Sequence, residues 1–83
     1  MPLYIDFHAK MPSVPQEALN EMRKEIGKVG PQGVTSVEAV FTKDGQAYCL
    51  SEAPNPDAVC RAHETKGLKL EKGDVHEITA RLT

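Results

Sequence analysis

The chain predicts an α+β fold in which two helices lie on one face of a four-stranded antiparallel sheet. Three observations carry that expectation. Both ends alternate apolar and polar residues with the period of a strand. Two segments have helical spacing behind proline-containing starts, and between them an Asp44-Gly45 pair joins two strand-like stretches. The order strand, helix, strand, strand, helix, strand is the split βαβ pattern of the ferredoxin-like superfold. Right-handed crossovers in its two halves place the first and third strands in the middle of the sheet.

In the first strand Leu3, Ile5 and Phe7 share one side and Tyr4, Asp6 and His8 the other. Met11-Pro12-Ser13-Val14-Pro15 interrupts the alternation, because proline removes a backbone donor and fixes φ. Ser13 with Gln16 three positions on reads as a capping box, with Pro15 in the first turn. Ala18, Leu19, Met22, Ile26 and Val29 then predict an amphipathic helix from about Pro15 to Val29, stopped by Gly30-Pro31-Gln32-Gly33.

Val34 to Thr42 is rich in β-branched residues, and Ala47 to Ala53 returns as its partner. A two-residue loop at Asp44-Gly45 would set Phe41 opposite Tyr48. A bulged three-residue loop would shift the register and flip one strand's faces, and the residues leave both open. Asn55 caps a second helix with Pro56 in its first turn. Ala58, Val59, Ala62 and Thr65 follow before Gly67 ends it. Leu68 to Gly73 is a link, and Val75 to Leu82 alternates as the last strand, with His76, Ile78, Ala80 and Leu82 on one side. His76 reads there as a histidine at the edge of the core.

With 83 residues, one domain over 1–83 is expected, burying about 60–65% of its unfolded surface. Hydrophobic residues at 40% and charged residues at 27% argue against disorder. Ten Lys and Arg against twelve Asp and Glu give a net charge of −2, which supplies no basic field for nucleic acid. No apolar run approaches the roughly 20 residues of a membrane span, and Met1 to Asp6 lacks the basic and apolar regions of a signal peptide. Cys49 and Cys60 are too few for a disulfide framework, so the cytoplasm with both thiols reduced is the expected compartment.

The residues able to carry chemistry are Asp6, His8, Cys49, Glu52, His63, Glu64, His76 and Glu77. No helical His pair, Cys-x-x-Cys or phosphate loop occurs, so a metal site would have to be assembled from separate elements. Asp6 and His8 point to the same face of one strand and can reach one divalent cation; equally, they can lie on a solvated face. His63 stands near a helix C-terminus, where the dipole favours an imidazolium that caps carbonyls. Cys49, in mid-strand, reads as a small packed hydrophobe, and Glu52 alone as a surface carboxylate.

Met1-Pro2-Leu3-Tyr4-Ile5-Asp6-Phe7-His8, the strand Tyr48-Cys49-Leu50-Ser51-Glu52-Ala53-Pro54 and the run Asp57-Ala58-Val59-Cys60-Arg61-Ala62-His63-Glu64 resemble, along the whole chain, a family of small bacterial domains. That family takes its label from a nickel-binding, nickel-responsive member. The resemblance implies a cytoplasmic, dimeric, ferredoxin-like domain that binds Ni²⁺ and has no established catalytic activity. The matching motif positions, carried over as a metal set, are Asp6, His8, Cys49, Glu52 and His63. Lys66 departs from the pattern, standing where a further His often precedes the Gly, so an ammonium replaces a donor there.

The expectation that follows is a non-catalytic metal-binding protein, a buffer, sensor or carrier. Imidazole and carboxylate suit Ni²⁺, Zn²⁺ or Cu²⁺, and affinity order alone favours Cu²⁺. Two alternatives stand beside it. One is a protein-interaction module using the helix-free sheet face. The other is a small dimeric α+β-barrel-type enzyme with an acid–base pair on that face. A homodimer through the open face is expected because two short helices leave it uncovered.

Overall fold

The computed structural model describes residues 1–83. Strand β1 runs Leu3–His8, helix α1 Gln16–Glu25, strands β2 and β3 Thr35–Phe41 and Ala47–Glu52, helix α2 Pro56–Glu64 and strand β4 Val75–Glu77. The strands lie in the order β2-β3-β1-β4, all pairs antiparallel. This is the expected ferredoxin-like arrangement, with β1 and β3 central.

The β2–β3 hairpin resolves the open register. Phe41 pairs with Ala47, Val40 with Tyr48 and Ala39 with Cys49, so the loop is the three-residue one. Thr42 and Gln46 close it: the Thr42 N–H donates to the Gln46 carbonyl at 2.9 Å, and the Gln46 N–H to Thr42 Oγ1 at 2.9 Å. Gly45 takes φ +84°, the left-handed conformation that such a loop requires. A further irregularity between Ser36 and Glu38 places Val37 as one extra residue on β2 against β3.

The faces are distributed otherwise than hydrophobicity alone suggests. Along β1 it is Tyr4, Asp6 and His8 that are buried, while Leu3, Ile5 and Phe7 are half-buried. The row carrying Asp6 therefore faces the helices, and the more apolar row lies on the open face. In β3 the small residues Ala47, Cys49 and Ser51 form the helix-side row, whereas Tyr48, Leu50 and Glu52 take the open side.

The core gathers under α2. Ala58 and Val59 of that helix pack with Tyr4, Val34, Ala53, Leu70 and Val75, and with the partly buried Cys60 and Ala62. Asn55 caps α2 as expected, its side chain accepting the Ala58 N–H at 2.9 Å. At the other end Gly67, at φ +77°, lets the Leu68 N–H reach back to the His63 carbonyl at 3.0 Å.

Helix α1 is built more loosely. It has no buried residue; Ala18, Leu19 and Met22 are half-buried. The expected Ser13 capping box does not form: Pro15 occupies the cap position, and its carbonyl accepts from Ala18 and Leu19. The helix also stops four residues before Val29, because Ile26 already has extended backbone (ψ 129°), and Val29 lies exposed in a bridge to Thr35.

Strand β4 is three residues long instead of eight. After the Ile78 N–H donates to the Leu3 carbonyl at 2.8 Å, the chain leaves the sheet. The tail turns across the open face, bringing Arg81 Nη2 to 3.6 Å from Glu38 Oε1 on β2. His76 pairs with Ile5 on the open side and is exposed, which corrects its expected place at the core edge.

Candidate metal centre

Adjacent strands and one helix bring four donors together on the helix side of the sheet. Asp6 and Cys49 are directly opposed across β1 and β3, which sets their side chains about 5 Å apart at the Cβ atoms. His8 lies two residues beyond Asp6 on the same row. His63 follows Val59 by four residues, so the helical period that sends Val59 into the core also sends His63 towards the sheet, one turn nearer the end of α2. The ligand atoms of Asp6, His8, Cys49 and His63 all fall within 4.8 Å of one another.

Asp6 is the centre of this group and is only 1% exposed. Its Oδ1 lies 2.6 Å from His8 Nε2 and 3.4 Å from His63 Nε2. The approach of His8 is close but poorly aligned. Both Asp6 oxygens and His8 Nε2 are buried without a hydrogen-bond partner. Unpaired buried carboxylate oxygens are costly. Oδ1 and His8 Nε2 face each other without hydrogen-bond alignment and Oδ2 has no such contact, an arrangement that a cation between the donors would satisfy.

His63 is oriented for the same purpose. Its Nδ1 lies 2.8 Å from the Val59 carbonyl oxygen, which only an N–H can satisfy, so Nε2 is the nitrogen left to face Asp6. The carbonyl that fixes this tautomer belongs to the buried turn of α2 and plays the supporting role seen behind metal-bound imidazoles. The rings of His8 and His63 stand 5.0 Å apart at 31°.

The electrostatics follow from burial. Desolvation pushes the Asp6 carboxyl above its ordinary value, and the attraction of His63 and His8 only partly offsets it. The Cys49 thiol is pushed up to about 12, first by burial and then by the Asp6 carboxylate, with Lys66 pulling weakly the other way. Cys49 is thus a protonated thiol at neutral pH, and a cation is what would release its thiolate.

Glu52, the fifth position carried over, is not in the cluster. It alternates to the open face, pairs with Leu3 and is exposed. Position 66 lies outside the four donors as well, so the Lys66 departure leaves them in place. Lys66 instead stands at the rim of a cavity of about 90 Å³ beneath α1, whose wall includes His8, Cys49 and His63 together with Met22, Ile26 and Phe41. Alternation along β1 does not by itself say which of its two rows is buried. The signal for it lies in β3, where Ala47, Cys49, Ser51 and Ala53 make a row of small residues that suits the space under packed helices.

A ferredoxin-like sheet with imidazole, thiol and carboxylate donors gathered under its helices defines a class: small α+β domains with a possible metal-binding cluster. Comparison with known proteins narrows it. The profile of the nickel responsive protein SCO4226-like family matches residues 4–78, and the chain belongs to that family. The crystal structure of SCO4226 from Streptomyces coelicolor A3(2) superposes with a TM-score of 0.73 at 27% identity, covering 96% of this chain and 99% of that one. No curated protein matches the sequence. Separately, no helix is long and apolar enough to cross a membrane.

Proposed function

We propose that the chain binds Ni²⁺, or a similar divalent transition ion such as Zn²⁺ or Cu²⁺, through Asp6, His8, Cys49 and His63, and serves as a non-catalytic buffer, sensor or carrier. The observation that carries this reading is the buried Asp6, facing two imidazoles at 2.6 and 3.4 Å in a group of four donors that lie within 4.8 Å of one another. The mixed donor set fits a borderline ion, and the family's nickel-responsive name supports nickel among the candidates. Such an ion would let Cys49 ionise and would offset the burial of the Asp6 carboxylate.

Calorimetric titration of Ni²⁺ into wild type and His8→Ala tests the assignment. Wild type is expected to bind at micromolar affinity or better, and the variant at least about tenfold more weakly, the cost of one lost ligand. Equal, millimolar-weak heats for both would refute it. Because binding displaces the Cys49 proton, affinity should also rise with pH across the neutral range.

The protein is further read as a cytoplasmic homodimer. Both cysteines are unpaired, as a reducing compartment would keep them. The open sheet face carries Phe7 in a tilted contact with Tyr48, with ring centroids 4.9 Å apart, beside Val40, and Val40 and Tyr48 are 44% and 39% exposed. This apolar strip suits a second copy of the chain. Tyr48→Glu should then convert a dimer to a monomer in sedimentation velocity; a wild type that sediments as a monomer would remove this part of the reading.

A further inference from the structure

We infer that the cavity under α1 is the passage by which a metal ion reaches its donors, and that the Lys66–Glu25 ion pair is the latch that sets how fast the ion enters and leaves. This rests on the metal-binding reading and adds the control of exchange at that site. Three observations point there.

The first is access. Asp6 and His8 are 1% and 7% exposed, so an ion does not meet them directly from solvent. The cavity of about 90 Å³ is the space that His8, Cys49 and His63 border. It is smaller than the roughly 150 Å³ that holds benzene, yet it takes several waters at roughly 10–15 Å³ each. Such a space suits an ion shedding its hydration shell. Its wall also offers polar groups for the ion to pass: Ser36 and Ser51 are directly paired across β2 and β3, and both border it.

The second is where the ion pair stands. An outer cleft of about 340 Å³ lies between the ends of the two helices, bordered by Lys28, Pro31 and Thr65. Glu25 and Lys66 border both spaces, so the pair forms part of the wall between them. Lys66 Nζ and Glu25 Oε2 are 3.6 Å apart and both side chains are half-exposed, a contact that opens at little cost.

The third is what the latch holds. Helix α1 has no buried residue, whereas α2 across the mouth is fixed in the core by Val59. Immediately after Glu25 the backbone of Ile26 becomes extended and Gly27 takes φ +85°, with the Gly27 N–H donating to the Ser36 carbonyl at 2.9 Å. The last turn of α1 therefore has a pivot tied to β2 and is joined to α2 by the pair. Closed, the pair retains an ion held below it. Open, it frees the Glu25 carboxylate at the mouth to receive a hydrated cation. Lys66, which looks like a lost metal donor, thus governs the rate of exchange and not the donor set.

A latch and a bare charge predict different signs, and Ni²⁺ is the probe. Stopped-flow transfer of Ni²⁺ from loaded protein to excess EDTA times release, calorimetry gives the dissociation constant, and the two together give the entry rate. Glu25→Gln and Lys66→Met each break the pair. Both should release and take up Ni²⁺ about threefold faster, with a dissociation constant within about twofold of wild type. Lys66→Arg keeps the pair and should behave as wild type. If charge alone acted, Glu25→Gln would take up the ion more slowly and Lys66→Met would release it more slowly; either result refutes the latch. A dissociation constant that rises in step with the release rate would make the pair a support of the bound ion and would also overturn it. Unchanged rates in both variants refute the latch and leave metal binding standing. A wild type that takes up no Ni²⁺ in calorimetry ends both readings.

Discussion

Beneath α2 the sheet meets Ala58 and Val59, which have essentially no exposed surface; beneath α1 it meets a cavity and a helix without one buried residue. The two βαβ halves share a topology but not a density. The α2 half holds Tyr4, Val34, Ala53, Leu70 and Val75 in one cluster, capped at both ends of its helix by Asn55 and Gly67. The α1 half has neither a side-chain cap nor a closed core. The donors lie on the seam between them. His63 is anchored by the dense half, while the wall opposite belongs to the loose half. The difference teaches a division within a chain of 83 residues: one helix is held rigidly and fixes the orientation of His63, and the other leaves open space beside the donors.

The largest expected effect is on stability and tests the contrast directly. Val59→Asp places a carboxylate in the only closed cluster and should abolish cooperative thermal unfolding, a loss above about 4 kcal/mol. Met22→Ala should cost about 1 kcal/mol, below the range of about 2–5 kcal/mol for fully buried side chains, because its surroundings are already open. Circular dichroism melts of both variants make the measurement. Similar losses at the two positions would mean that α1 is packed as firmly as α2.

The same contrast explains what the sequence could and could not show. Strand order, both helices, the Asn55 cap and the Gly67 stop depend on local spacing and punctuation, and they are legible residue by residue. The Asp44-Gly45 hairpin is legible as a turn but not in register, since two- and three-residue loops use the same residues and only the Thr42–Gln46 closure distinguishes them. The burial of Asp6 and His8 runs against the apolar pattern of Leu3, Ile5 and Phe7. It is set by which face the crossovers cover, which is a tertiary fact. Glu52 is separated from the cluster by the same alternation that includes Cys49. Ser13 and Gln16 have the composition of a cap, yet Pro15 takes the position, and β4 ends early because the tail turns back towards Glu38.

A smaller effect is expected at the seam itself. Burial raises the Asp6 carboxyl above its ordinary 3.8, so the folded state holds that proton more tightly than the unfolded one. The sign follows from linkage: this group's cost is full above the folded value, and metal-free stability rises as pH falls through that value towards 3.8. Asp6→Asn removes the charge while keeping the shape. At neutral pH it should stabilise the metal-free protein, flatten that part of the pH dependence and eliminate any rise in melting temperature on adding Ni²⁺. Urea titrations with and without metal would show it. A destabilised Asp6→Asn protein would instead mean that attraction between Asp6 and the two imidazoles outweighs its desolvation.

The smallest effect concerns how the halves are joined. One ion pair connects the helices, Lys66 to Glu25, with both side chains half-exposed. Exposed pairs of this kind contribute about 0–1 kcal/mol, so Glu25→Gln should leave the global melt within about 0.5 kcal/mol of wild type. Local opening is a separate matter. Without buried side chains, α1 has little else holding its last turn to α2, and its amides belong to the low-stability end of the molecule. Hydrogen exchange should therefore be fast throughout Gln16–Glu25 in wild type and faster in Glu25→Gln near the helix C-terminus, with amides of Pro56–Glu64 unchanged. Equal protection of the two helices in wild type would contradict the looseness inferred from their burial. Protection of α1 that rises on adding Ni²⁺ would sharpen the comparison, because a ligand at the seam must bring the open half against the closed one to be held.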